Sequence, residues 1–270
     1  MPKPFAWYNE IDPYAAQWLR NLIEAGHIAA GVVDERSIED VTPGDLRGFT
    51  QCHFFAGIGV WSYALRQSGW SDDRPVWTGS CPCQPFSAAG KGNGFDDERH
   101  LWPALFHLAE KCKPDVIFGE QVASQDGLTW LDLIQTDLEA AGYAVGAVDT
   151  CAAGYGAPHI RQRLYWVADG SYMQDWAHQG QPKASAETSL TTGGRHFSAF
   201  AQPGKTNGFW SDCEWLRGAD GRLYPVGPGA LPLVDGSTKR VGRISAYGNG
   251  LATGNAIGFI QSFMEVKDAA

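Results

Sequence analysis

From the first residues to about position 168, short apolar runs alternate with stretches of helical spacing. FAWYNEI at 5–11 predicts a short aromatic strand. Asp12 followed by Pro13 predicts a helix start, because Asp caps and proline suits the first helical position. Apolar residues at 15, 16, 18, 19, 22 and 23 then share one helical face, and Gly26 marks its end. CHFFAGIG predicts a strand running into a glycine turn, with a helix over WSYALRQSG. PVWTGSCP and PDVIFGEQV predict buried strands, with a helix over HLWPALFHLAEKC between them. LTWLDLIQTDLEAAG predicts an amphipathic helix, and YAVGAVDTCAAGYGAP and RQRLYWVAD two strands about a turn. Alternation of this kind predicts an α/β fold built on a doubly wound, mostly parallel, Rossmann-like sheet.

The pattern breaks between about 169 and 240. Gly, Pro, Ser and Thr increase, helical periodicity disappears, and aromatics are scattered, which predicts a small irregular or β-rich insert. Helical spacing returns in LATGNAIGFIQSFMEV. The expected division is therefore a main domain over 1–168, an insert over 169–240, and a segment over 241–270 that packs back on the main domain.

Composition narrows the class. At 270 residues and 44% hydrophobic, the chain has enough material for a full core. No apolar run reaches the length of a membrane span, and the first residues lack the layout of a signal peptide, so a cytoplasmic protein is expected. The six cysteines, at 52, 81, 83, 112, 151 and 213, form no C-x-x-C pair, which argues against a metal cluster or a disulfide framework. The net charge of −9 argues against nucleic acid at first sight. Its distribution softens that: residues 169–245 hold 8 basic and 7 acidic groups, while the other 193 hold 13 and 23.

The candidate chemistry starts with Cys83, which follows a buried strand and Pro82 and leads into the glycine-rich QPFSAAGKGNGFDDER. Most cysteines are small buried hydrophobes, but one at a strand end beside a polar loop is placed for chemistry. Cys81, two positions earlier, reads as core. FAGIG, taken alone, is a weak phosphate- or nucleotide-type turn. Glu120 ends an apolar strand, and Arg161 and Arg163 alternate along another, so they share a face; each is also compatible with ordinary surface charge.

Taken together these pieces resemble the DNA (cytosine-5) methyltransferases. PCQPFS with the loop after it resembles their signature loop. FAGIG resembles the first cofactor motif, GEQV the Glu-Asn-Val motif, APHIRQRLYWVA the Gln-x-Arg-x-Arg motif, and YGN at 247–249 the C-terminal Gly-Asn motif. The compact length suggests a phage or prophage type, and restriction–modification is the implied setting. The resemblance implies S-adenosylmethionine as cofactor, double-stranded DNA as partner, no metal, and monomeric action. It implies Cys83, Glu120, Arg161 and Arg163 as catalytic residues. It also implies Phe55, Ala56, Gly57, Ile58, Gly59, Pro82 and Asn249 as cofactor contacts, and Gln84, Ser87 and Arg99 as DNA contacts. Two positions depart from the pattern: Gln121 stands for the Asn after the glutamate, and His159 for the Gln before the arginines. Neither change removes a nucleophile or a proton-transfer group, so activity is expected to survive. A pyrimidine-modifying enzyme acting on RNA or nucleotides, and a catalytically dead DNA-binding decoy, are the competing readings.

Only 83 − 59 = 24 positions separate Gly59 from Cys83, too few for the family's ribose and adenine motifs. Both resemble segments ahead of the glycine turn instead. WYNEIDPYAAQWL resembles the ribose motif, with Glu10 on the ribose hydroxyls and Ile11 against the adenine. RSIEDV resembles the adenine strand, with Ser37 at the acidic position, or Asp34 if the register differs. A circularly permuted strand order follows, entering at the family's second strand, going to the third, and returning to the first. A plain helix-start charge is the alternative reading of Glu10.

Overall fold

The computed structural model describes residues 5–82, 101–155, 161–171, 214–217, 223–226 and 251–269. A seven-stranded sheet forms the centre. In chain order its strands are β1 (Ala6–Asn9), β2 (Gly31–Asp34), β3 (Gln51–Phe54), β4 (Val76–Gly79), β5 (Val116–Val122), β6 (Ala144–Cys151) and β7 (Gln162–Asp169). In space the order is β2-β1-β3-β4-β5-β7-β6. The first five run parallel, while β7 is antiparallel to both its neighbours. The chain therefore starts one place in from the edge, steps out to β2, returns over β1 to β3, and then crosses to β4.

Helices cover both faces, which is why β1, β3 and β4 are buried throughout. Alternate residues feed two cores. Trp7, Phe54, Trp77, Ile117 and Trp166 point to the face covered by α3 (Trp102–Cys112) and α4 (Gln125–Ala140). Tyr8, Val76, Phe118 and Tyr165 point to the face covered by α1 (Pro13–Glu24), α2 (Val60–Gln67) and α5 (Thr253–Ala269). Rings link the parallel strands directly: Phe54 lies 5.5 Å from Trp7 and 4.9 Å from Trp77. Trp166 is fully buried, and truncating such a tryptophan to alanine costs roughly 3–5 kcal/mol. Its indole lies against Gly119, where a Cβ would run into the ring, so this glycine is set by packing.

The local signals read from the sequence operate as expected in α1, where the Asp12 carboxylate accepts from the Ala15 N–H at 2.9 Å. Cys81 is buried in the core, as its position suggested. One segment differs from expectation. The strand expected near RSIEDV ends earlier, at Asp34, and Ser37 instead caps a single 3-10 turn over Ile38–Asp40. The Asp34 carboxylate accepts from the Arg36 guanidinium at 2.6 Å where the chain leaves the sheet. A separate two-stranded antiparallel hairpin, β8 (Glu214–Arg217) with β9 (Leu223–Val226), falls within the segment expected to be irregular or β-rich. Among the described residues no helix is long and apolar enough to cross a membrane.

Candidate active site

The carboxyl ends of the parallel strands open onto one cleft of about 430 Å³. This is where open α/β sheets bind ligands, because helix N-termini and loops converge there. Its walls come from the residues just past each strand: Asn9 to Asp12 after β1, Arg36 to Ile38 after β2, Phe55 to Ile58 after β3, and Ser80 to Pro82 after β4. Glu120 to Val122 add the end of β5. Since β7 runs the other way, its start lies at the same edge, and Arg161 and Arg163 join the lining.

At one end stands the glycine turn. Phe55, Gly57 and Gly59 all have positive φ (51°, 54° and 79°), a strained state for Phe55 and the reason glycine suits the other two. Gly59 faces away from the cleft onto Leu19 and Ile28, where a side chain would not fit. The Glu10 carboxylate reaches across and accepts from the Gly57 N–H at 2.7 Å and the Asp12 N–H at 2.9 Å. Burial raises its pKa, and these two N–H groups oppose the shift. Ile11, 66% exposed, offers an apolar surface at the rim.

Asn9 ties this end together. Buried at the tip of β1, it donates from Nδ2 to the Arg36 carbonyl at 2.8 Å, and so holds the turn that carries Ser37 against β1. Ser37 lines the cleft, whereas Asp34 is engaged by Arg36 and does not.

At the other end Glu120 and Arg163 form an ion pair, Oε1 to Nε 2.8 Å, with side chains 12% and 21% exposed. They meet because Glu120 pairs with Tyr165 across the β5–β7 ladder, so Glu120, Arg161, Arg163 and Tyr165 project on one face. Burial raises the Glu120 pKa, and the charges of Arg163 and Arg161 pull against it. Burial thus favours the protonated carboxyl while the two arginines favour the carboxylate. Gln121 points to the opposite face; its Oε1 accepts from the Val122 N–H, and its buried Nε2 has no partner among the described residues.

Pro82 lines the cleft and is the last described residue before the loop. Cys83, Gln84, Ser87, Arg99, His159 and Asn249 lie outside the described residues. The structure thus brings Glu10, Ile11, Ser37, Phe55, Ala56, Gly57, Ile58, Pro82, Glu120, Arg161 and Arg163 to one cleft, and leaves Asp34 and Gly59 off its walls. Sequence reasoning did not single out Asn9, Trp61 or Ser80. Asn9 stands directly before Glu10 in the chain, but nothing in a lone polar residue at a strand end announces its long-range bond.

A doubly wound sheet with a glycine turn, an acidic side chain bonded to that turn and a buried Glu–Arg pair at the same edge places the chain in the Rossmann-like α/β fold class. Residues 70–192 match the family model for C-5 cytosine-specific DNA methylase. Similar curated proteins include the Type II methyltransferase M.HhaI of Haemophilus parahaemolyticus, 32% identical over 35% of this chain and 30% of that protein. M.NgoMIV of Neisseria gonorrhoeae is 36% identical over 36% and 32%, and M.PspPI of a Psychrobacter species 29% identical over 51% and 43%. Residues 70–192 of the chain are thus similar to the C-5 cytosine-specific DNA methylases. Its matches span less than half the length of these relatives. Among solved structures, Spodoptera frugiperda DNMT2 is 19% identical with a TM-score of 0.40, covering 60% of this chain and 41% of that one.

Proposed function

We propose that the protein methylates C5 of cytosine in DNA, using S-adenosylmethionine. The observation that supports this most is the sharing of one cleft by the Glu10–Gly57 pair and the buried Glu120–Arg163 pair. The cofactor end fits its ligand chemically. A carboxylate stands where ribose hydroxyls need acceptors, an exposed isoleucine offers a surface to a purine, and the glycine turn leaves open space beside Gly57. Glu10, Ile11, Ser37 and Phe55 to Ile58 would hold the cofactor. When bound, S-adenosylmethionine supplies an electrophilic methyl group on its sulfonium.

The chain's own residues do the rest. C5 of cytosine is a weak nucleophile until a thiolate adds to C6, and in the chain Cys83 comes only four positions after Gly79, the last residue of β4. Cys83 would add to C6 of a base flipped out of the duplex. Glu120, whose protonated form burial favours, would hydrogen-bond N3 and the amino group as charge develops on the ring. Arg163 would hold the base at O2 and keep Glu120 oriented, with Arg161 beside it. C5 then takes the methyl group, loses its proton, and the Cys83–C6 bond breaks to restore the thiolate. The loop residues Gln84, Ser87 and Arg99 would face the DNA, and residues 169–240 would read the target. A monomer in the cytoplasm suits this scheme.

The proposal includes the permuted order. The sheet runs 2-1-3-4-5 in chain numbering, with β1 and β2 on the far side of the glycine strand from β4, and this order supports assigning the ribose and adenine contacts to the ends of β1 and β2. The test is incubation with duplex DNA and methyl-labelled cofactor, followed by mapping of 5-methylcytosine. Label at C5 in wild type and none in Cys83→Ser supports the reading. Label confined to RNA or free nucleotides, or equal inertness of both proteins on every substrate, rejects it.

A further inference from the structure

We propose that Trp61 is a positioning residue for the chain segment that delivers Cys83, acting through Ser80; this rests on the methyltransferase reading above. Trp61 lies in the first turn of α2, two residues past Gly59, and is 5% exposed. An indole N–H is a donor only, and a buried one needs an acceptor. Its acceptor is the Ser80 hydroxyl at 3.0 Å. Ser80 is the first residue beyond β4 and lies 83 − 80 = 3 positions before Cys83.

The rest of the indole spans the other reacting elements. Its plane stacks on Phe118, 6.0 Å between centroids and 16° between planes, two residues before Glu120 on β5. Tyr165 meets it edge-on at 5.9 Å and 72°, two residues after Arg163 on β7. One side chain on the cofactor helix thus touches β5 and β7 and bonds the exit of β4. Both Trp61 and Ser80 line the cleft. The strand does not need a hydroxyl at position 80, since β4 has already ended at Gly79; the hydroxyl's described partner is the indole. The bond fixes where the chain leaves the sheet, and hence the starting point of the segment that reaches Cys83. A phenylalanine at 61 would keep the ring contacts and lose only the donor, which separates positioning from packing.

The experiment uses the full chain with Trp61→Phe, Ser80→Ala and the double variant. In single-turnover assays each single variant is expected to slow methyl transfer about fivefold, the size of one neutral hydrogen bond, with the KM for S-adenosylmethionine moved less than about twofold. The double variant is expected to be no slower than the singles, because one bond is lost in all three. A second readout needs no turnover: iodoacetamide labelling followed by peptide mass spectrometry. The rate at Cys83 should change in each variant while the buried Cys52 and Cys81 stay protected. Wild-type rates at Cys83 in both single variants, losses that multiply in the double, or parallel exposure of Cys81 would overturn the proposal. If wild type transfers no methyl to DNA, the methyltransferase reading fails, and the labelling alone decides the role of Trp61.

Discussion

Glu10 at one end of the cleft is held by two backbone N–H groups, whereas Glu120 at the other is held by a guanidinium 2.8 Å away. Burial raises the pKa of both carboxyls, but what opposes it differs. Backbone donors at the glycine turn belong to the fold and stay fixed, which suits binding. An arginine beside a deeply buried carboxyl opposes the burial, so the carboxyl's protonation responds to charge that arrives beside it, which suits chemistry. In the proposed reading, two glutamates on one sheet edge would take different roles from their partners, not from their residue type.

Breaking the base end should produce the largest effect. Glu120→Gln is expected to lower methyl transfer by about 10²–10⁴-fold, the usual worth of a positioned proton donor, with cofactor binding retained. The same substitution alters the pH dependence of folding with a definite sign. A carboxyl whose folded pKa is raised adds stability below its ordinary range near 4.5, and that contribution is lost as pH rises through the folded value. The glutamine variant lacks this term, so wild type should gain on it as pH falls; denaturant unfolding at several pH values checks this.

Much of this contrast could be read in the chain before the structure. Strand–helix alternation announced the doubly wound sheet, whose strands β1, β3 and β4 are buried on both sides, and Asp12–Pro13 starts α1 by local chemistry alone. The glutamates and arginines at strand ends were legible because strand ends are where such sheets bind ligands. The adenine end was not. Whether Ser37 or Asp34 faces the cleft depends on where β2 stops, and that is decided by the Asp34–Arg36 pair and the Asn9 bond, neither of which has a sequence period. Nor could Trp61 and Ser80 be paired from a separation of 19 residues across a crossover.

Asn9 sharpens the comparison from the binding side. Asn9→Ala frees the Arg36 carbonyl and the turn that carries Ser37, and should weaken cofactor binding about three- to tenfold while single-turnover chemistry at saturating cofactor is unchanged. Calorimetry with S-adenosylhomocysteine, set beside single-turnover rates, checks it.

A further effect is on stability alone. His53 is fully buried, stacked on Tyr8 at 4.8 Å and bonded to Thr78 and Gln51, and burial lowers its pKa to about 3. Below its ordinary value of 6.5 the unfolded chain takes up a proton that the folded chain refuses. Stability should therefore fall with decreasing pH by roughly 1.4 kcal/mol per unit from this group, down to about pH 3. Urea titrations at pH 7 and pH 5 should show that loss, diminished in His53→Gln.

The claim that organises the rest is that Glu10, ahead of the glycine turn in the chain, is the cofactor's ribose carboxylate. Calorimetric titration of wild type and Glu10→Ala with S-adenosylhomocysteine tests it directly. Loss of charge-assisted hydrogen bonds to the ribose should weaken binding by about tenfold or more. Affinity equal to wild type in a folded Glu10→Ala protein would contradict it.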